Sequence, residues 1–233
     1  MNKKNPAIIF TTIAVVLVIF TLLGPWYNFQ LDIDSNINEL DMNYSLRLYL
    51  SNANFQGQIF GRNVFQSEDY ENIRDILYLI PGNSENDYSI NQVFDVFETT
   101  RLFVIISLVL SITTFFVYAL SVLFTYKDNN LRHLKIILGV IFSCFSFFSF
   151  FYFLFLWSSV IQRGLSLFLS SASYVPISSE MSEAGFWFSF YQGGLNITMG
   201  PGHAWYIMII SGIFGLIAVV LTLKSHDSGD ENK

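Results

Sequence analysis

One cysteine, Cys144, stands in 233 residues, which excludes an internal disulfide framework and any cysteine-rich metal site. Charge is also scarce. Asp, Glu, Lys and Arg make up 13% of the chain, about half the roughly 25% of an ordinary soluble domain. Basic residues are the rarer sign, and a net charge of -6 gives nucleic acid no electrostatic reason to bind. The three histidines, His133, His203 and His226, form no ligand-like motif. No P-loop, dinucleotide fingerprint or workable Ser/His/Asp order occurs, and these are among the arrangements catalysis would need. The expectation is a protein with no catalytic, cofactor-binding or metal-binding residues, and not an enzyme.

What the chain does have is apolar bulk: 52% hydrophobic residues, with 25 Phe, 12 Tyr and 4 Trp. Four runs are long enough to cross a bilayer, at residues 7–23, 102–124, 136–162 and 204–223, and none contains Asp, Glu, Lys, Arg or His. As helices they measure about 26, 35, 41 and 30 Å, against a hydrocarbon core of about 30 Å. The first run follows Lys3 and Lys4, as a signal peptide would. It is longer than the usual apolar core of such a peptide, and Gly24-Pro25-Trp26-Tyr27 offers no small-residue cleavage site, so a retained anchor is favoured.

Basic residues set the expected orientation. Lys3, Lys4, Lys127, Arg132, Lys135 and Lys224 all fall on one side of a four-span arrangement, the side assigned to the cytosol. The prediction is a multi-pass protein of the plasma membrane, or else of an endomembrane, with residues 1–6, 125–135 and 224–233 in the cytosol. The tail from Lys224 is expected to lack fixed structure. Residues 24–101 and 163–203 then lie outside. The N-x-S/T triplets at Asn43 and Asn196 both fall on that outer side, which makes these two asparagines candidates for glycosylation.

On a helical wheel each span gathers small or hydroxylated residues on one side. Span two uses Ser107, Ser111, Thr114, Tyr118 and Ser121; span three Gly139, Ser143 and Ser146; span four Ser211, Gly215, Ala218 and Thr222. Span one uses Ala7, Thr11, Ala14 and Thr21 less regularly. Small residues let helices approach closely, so the expected arrangement is an all-α four-helix transmembrane bundle. The alternative makes these hydroxyls the lining of a small channel or transporter, although neutral hydroxyls alone neither select ions nor relay protons. Cys144 is expected to be an inert buried thiol.

Residues 24–101 alternate apolar and polar at Phe29–Asp34 and at Tyr44–Leu50, and a third strand is plausible at Phe55–Phe60. Tyr70, Ile73, Ile76, Leu77 and Ile80 then recur at helical spacing, with Ser67 as a candidate N-cap and Pro81-Gly82 as the stop. The reading is a small extracellular antiparallel β-sheet plus a short helix. This segment holds twelve Asp or Glu against four Arg, an excess of eight negative charges. Asp32, Asp34, Glu39 and Asp41 could bind calcium but lack the loop spacing of a known calcium motif, so a solvated acidic face is preferred. In residues 163–203, Phe186–Tyr191, Gly193-Gly194 and Leu195–Ile197 predict an aromatic hairpin that could complete the sheet or form an adhesive patch.

Four spans, a long first outer segment of strands and helix, and a shorter second one resemble the claudin and peripheral-myelin-protein superfamily. Gly24, Pro25, Trp26 and Tyr27 stand where that superfamily carries its tryptophan-containing extracellular motif. The entry into the last span, Gly200-Pro201-Gly202-His203-Ala204-Trp205-Tyr206, also looks similar. The family's paired extracellular cysteines have no counterpart. The resemblance implies a non-enzymatic tetraspan that uses its extracellular sheet in membrane organisation, adhesion or as an auxiliary subunit. Its partners would be the lipid bilayer and either further copies of itself or another membrane protein, with no cofactor. A lipid-handling pocket between helices is a third reading.

Overall fold

A computed structural model describes residues 6–33, 42–59, 62–72, 84–123, 129–156, 188–192 and 195–230. The chain divides into two compact units. One comprises residues 1–23, 102–150 and 206–233, and the other 24–101 and 151–205. Four helices are long and apolar enough to cross a membrane: α1 (Pro6–Leu23), α2 (Ser84–Leu123), α3 (Asn129–Leu156) and α4 (His203–Asp230). In an apolar medium a single segment can satisfy its own backbone only as a helix, and charge-free runs of this length therefore take that form.

Three of these helices exceed their predicted spans, and α3 starts at Asn129 rather than Ile136. Helix α2 starts at Ser84 rather than Leu102. Val93, Phe94, Val96, Phe97 and Thr100 recur on one buried face, and no Gly or Pro interrupts them. Helix α4 continues through the polar tail to Asp230, where no fixed structure was expected. Each residue added to an existing helix gains a backbone bond without a new nucleation step. Residues 157–162, the end of the third predicted span, lie outside the described residues.

The helical unit has small and hydroxylated residues inside. Ala7, Thr11, Ala14, Ser107, Ser111, Thr114, Ser143, Ser146, Ser211 and Ala218 are buried, while Ile105, Val109, Phe116, Ile137, Ile213 and Val220 face outward. Closest approach falls at glycine. A Cβ on Gly139 would meet Val219 Cγ2 at 2.5 Å, and one on Gly215 would meet the Phe142 ring and Ser143 Oγ at 2.6 Å. Cys144 is exposed, correcting the expected burial. It sits on the side of α3 away from Gly139, Ser143 and Ser146, which pack inward.

The other unit carries a six-stranded antiparallel sheet in the order β4-β3-β2-β1-β6-β5. The strands are β1 (Tyr27–Ile33), β2 (Met42–Leu48), β3 (Asn52–Ile59), β4 (Arg62–Asp69), β5 (Phe188–Gln192) and β6 (Leu195–Pro201). The sequence reading missed β4. Val64 and Phe65 are adjacent rather than alternating, so period two is absent, and pairing with β3 from Asn52↔Asp69 to Ile59↔Arg62 supplies the order instead. Ser67 is therefore a strand residue and not an N-cap. Tyr70–Asn72 begins a helical turn, and the rest of the short predicted helix, residues 73–80, lies outside the described residues. The hairpin strands β5 and β6 do join the sheet, through pairing of β6 with β1.

Candidate functional site

The most constrained place in the sheet unit is where the two ends of the sheet's chain segments cross. Gly24-Pro25-Trp26-Tyr27 leads into β1, and Gly202-His203-Ala204-Trp205 leads out of β6. The Gly202 N–H donates to the Trp26 carbonyl at 2.8 Å, the Ala204 N–H to the Pro25 carbonyl at 3.2 Å, and the Trp26 N–H to the Leu48 carbonyl at 2.8 Å. Three chain segments are thereby tied at one point. A Cβ on Gly202 would fall 2.0 Å from the Pro25 carbonyl oxygen, so only glycine fits. The corresponding Cβ on Gly24 would meet the His203 ring at 2.7 Å.

Beside this crossing runs a buried chain of rings. Trp26 meets Phe153 edge-on at 5.4 Å, Phe153 meets Phe97 at 5.2 Å, Phe97 meets Tyr70 at 5.6 Å, and Tyr70 stacks on Phe94 at 4.8 Å. Edge-on and offset pairs of this kind add to the energy of burial itself. Tyr27 and Trp205 are buried as well, and the Tyr70 hydroxyl donates to the Tyr49 carbonyl. Burial pushes the Tyr27 hydroxyl well above the ordinary tyrosine range. Tyr70 is also pushed up, first by burial and then by the negative charge of Glu98.

The opposite face of the sheet is polar and includes the charged residues Asp32, Arg47 and Asp69. Tyr191, Asn196, Asp32 and Asn43 occupy one cross-strand row, and Ser189, Thr198, Gln30, Ser45, Gln56 and Phe65 the next. Both asparagines of the N-x-S/T triplets thus flank Asp32, and both triplet hydroxyls flank Gln30. Asn43 is exposed and Asn196 half-buried. Side chains on this face bond to one another: Gln30 Nε2 donates to Asp32 at 3.0 Å, and Ser67 Oγ donates to Asn54 Oδ1 at 2.6 Å. The two edge strands each expose an aromatic ring, Phe65 on β4 and Tyr191 on β5. The paired rows, and the position of Phe65, could not be read without the register.

The small residues of the helices are placed as follows. Ser107, Ser111, Gly139, Ser143, Ser211, Gly215 and Ala218 are all buried in the helical unit. Their hydroxyls turn back onto their own helices: Ser107 donates to Phe103, Ser111 to Leu108, Ser143 to Gly139 and Ser211 to Met208, at 2.7–2.9 Å. A contact between helices comes from Tyr118, whose hydroxyl lies 2.5 Å from Thr222 Oγ1 and 3.2 Å from the Ala218 carbonyl. Thr11, Ala14, Ser111, Thr114, Gly139, Phe142 and Gly215 surround a crevice too narrow for a water molecule.

Among the described residues no three His, Cys, Asp or Glu side chains stand together as a metal site. Asp34, Glu39 and Asp41, the remainder of the acidic group around Asp32, lie outside them. Four long apolar helices define a membrane-type, multi-pass helical protein, here with an antiparallel sheet. No protein-family model and no curated protein matches the chain.

Proposed function

We propose that the chain is a non-enzymatic tetraspan of claudin-like layout that acts through its sheet, in membrane organisation, adhesion or as an auxiliary subunit of another membrane protein. The observation that carries this reading is the joining of two separate segments into one sheet, by β1–β6 pairing and the Gly202–Trp26 bond. A surface assembled this way is held in fixed register, and its polar face ends in an exposed ring on each edge strand. Fixed geometry and exposed aromatic rings suit protein contacts. The Gly24-Pro25-Trp26-Tyr27 turn and the four-span layout support the family likeness.

The basic residues at the span ends support cytosolic termini and an outward sheet, in the plasma membrane or else an endomembrane. Asn43 and Asn196 are then glycan acceptors on one face. Hydroxyls that bond within their own helices, around a crevice too narrow for water, support a packing role for the small residues. Crosslinking in native membranes, followed by capture in mild detergent, tests the reading. A stoichiometric neighbour, another copy or a second membrane protein, is expected. A monomer without any neighbour contradicts it, and liposome flux abolished by bulky substitution of Ser111 or Ser211 would replace it with the channel reading.

A further inference from the structure

We infer that one end of the helical unit binds the phosphate of an anionic phospholipid, through Arg132 and Lys135 of α3 beside Tyr118 of α2. The two cations are three residues apart and so share a helix face. Arg132 Nε is buried with no hydrogen-bond partner, although a guanidinium N–H is a strong donor that normally finds an acceptor. Lys135 Nζ stands 5.4 Å from the centre of the Tyr118 ring. The Tyr118 hydroxyl is already engaged with Thr222 and Ala218 on α4 and gives the lysine no acceptor. Among the described residues no carboxylate pairs with either cation.

Nor does the helix itself compensate them. They lie in the first two turns of α3, which contain no acidic residue in the first turn, and the helix N-terminus favours negative rather than positive charge. Two half-buried cations, an orphaned N–H and a positive helix end all call for the same thing, an anion. Immediately after Lys135 the chain enters an uncharged run that continues through Gln162, so the pair stands where a span begins and lipid phosphates lie. A guanidinium fork and an ammonium are together suited to phosphate oxygens. Ala7 packs with Tyr118 and Ala218 at this end, so α1, α2 and α4 contribute to its floor.

The test uses the full chain in vesicles of phosphatidylcholine and phosphatidylglycerol in equal amounts, with retained lipid counted by native mass spectrometry. The wild type is expected to keep phosphatidylglycerol in preference to phosphatidylcholine. Arg132→Gln with Lys135→Gln should lose about tenfold or more of that retention, whereas Lys224→Gln and the charge-preserving pair Arg132→Lys with Lys135→Arg should keep it. Equal retention by wild type and the neutral double variant, indifference to lipid charge, or displacement of the lipid by inorganic phosphate at similar concentration would overturn the proposal. Size-exclusion profiles and helical circular dichroism establish that each variant is folded before its lipid is counted.

Discussion

The two units of this chain differ in the balance of small and large residues inside them. The helical unit buries many Ala, Gly, Ser and Thr residues around a few large ones, Tyr118, Phe142 and Met208, and turns much of its Ile, Val, Leu and Phe outward. The sheet unit buries Trp26, Tyr27, Tyr70, Phe97, Phe153 and Trp205 and turns Asn, Gln and Ser outward. The difference follows from the medium each must suit. In water the large apolar side chain stabilises by leaving the solvent, about 1.5–3 kcal/mol for each one fully buried. In lipid that gain disappears, and what remains is close contact, which small residues permit. One sequence with 25 Phe uses them in both ways: Phe153 is wholly buried, and Phe155 is 77% exposed on the same helix.

The contrast can be broken at single residues, and the expected effects differ in size. Gly202→Ala should be the most damaging, because its Cβ would press on the Pro25 carbonyl oxygen. A loss of more than about 3 kcal/mol is expected, visible as loss of the cooperative tryptophan-fluorescence melt while helical circular dichroism persists. Phe153→Ala removes the ring linking Trp26 to Phe97 and should cost about 3–5 kcal/mol. Phe155→Ala is the outward control and should change the melt little.

Alkaline pH acts on the same interior. Tyr27 and Tyr70 hold their protons more tightly folded than unfolded. Their contribution is therefore complete below the ordinary tyrosine value of about 10 and is lost as pH rises through the raised values. The melting temperature should fall above about pH 10, and tyrosinate absorbance should show a late phase coincident with unfolding. Phe substitution of both tyrosines should remove that phase.

In the helical unit the changes are smaller and have the opposite logic. Gly215→Leu adds bulk against Phe142 and Ser143 and should cost about 1–3 kcal/mol, measured by thermal unfolding in detergent. Ser111→Ala should stay within about 0.5 kcal/mol. Its hydroxyl serves only a carbonyl of its own helix that is within the helical ladder.

How much of this was legible in the sequence depends on which solvent wrote the pattern. Charge-free runs placed the four apolar helices, and wheel positions such as Ser111, Gly215 and Ala218 can be read without coordinates because the outward positions of the spans are mostly apolar. The alternation at Phe29–Asp34 announced β1. Strand β4 was illegible, since Arg62–Asp69 has no alternation of its own and takes its form from β3. The extension of α2 to Ser84 was hidden because its buried face, Val93 to Thr100, lies in a polar surround that lowers the average. Gly24-Pro25-Trp26-Tyr27 and Gly200–Tyr206 were noticeable as two unusual runs far apart in sequence. That Gly202 fits against Pro25 is a distance, and no spacing within one run contains it.

The contrast between the two outward faces implies that the sheet's polar face meets water and the outer helix face meets lipid. Cysteine labelling tests this most directly. With Cys144→Ala as background, a single cysteine at Gln56 on the sheet and another at Ile213 on α4 are exposed to a membrane-impermeant maleimide in native membranes. The account predicts labelling at Gln56 from one side of the membrane and none at Ile213 until detergent is added. Labelling at Ile213 in intact membranes, with Gln56 protected from both sides, would contradict it.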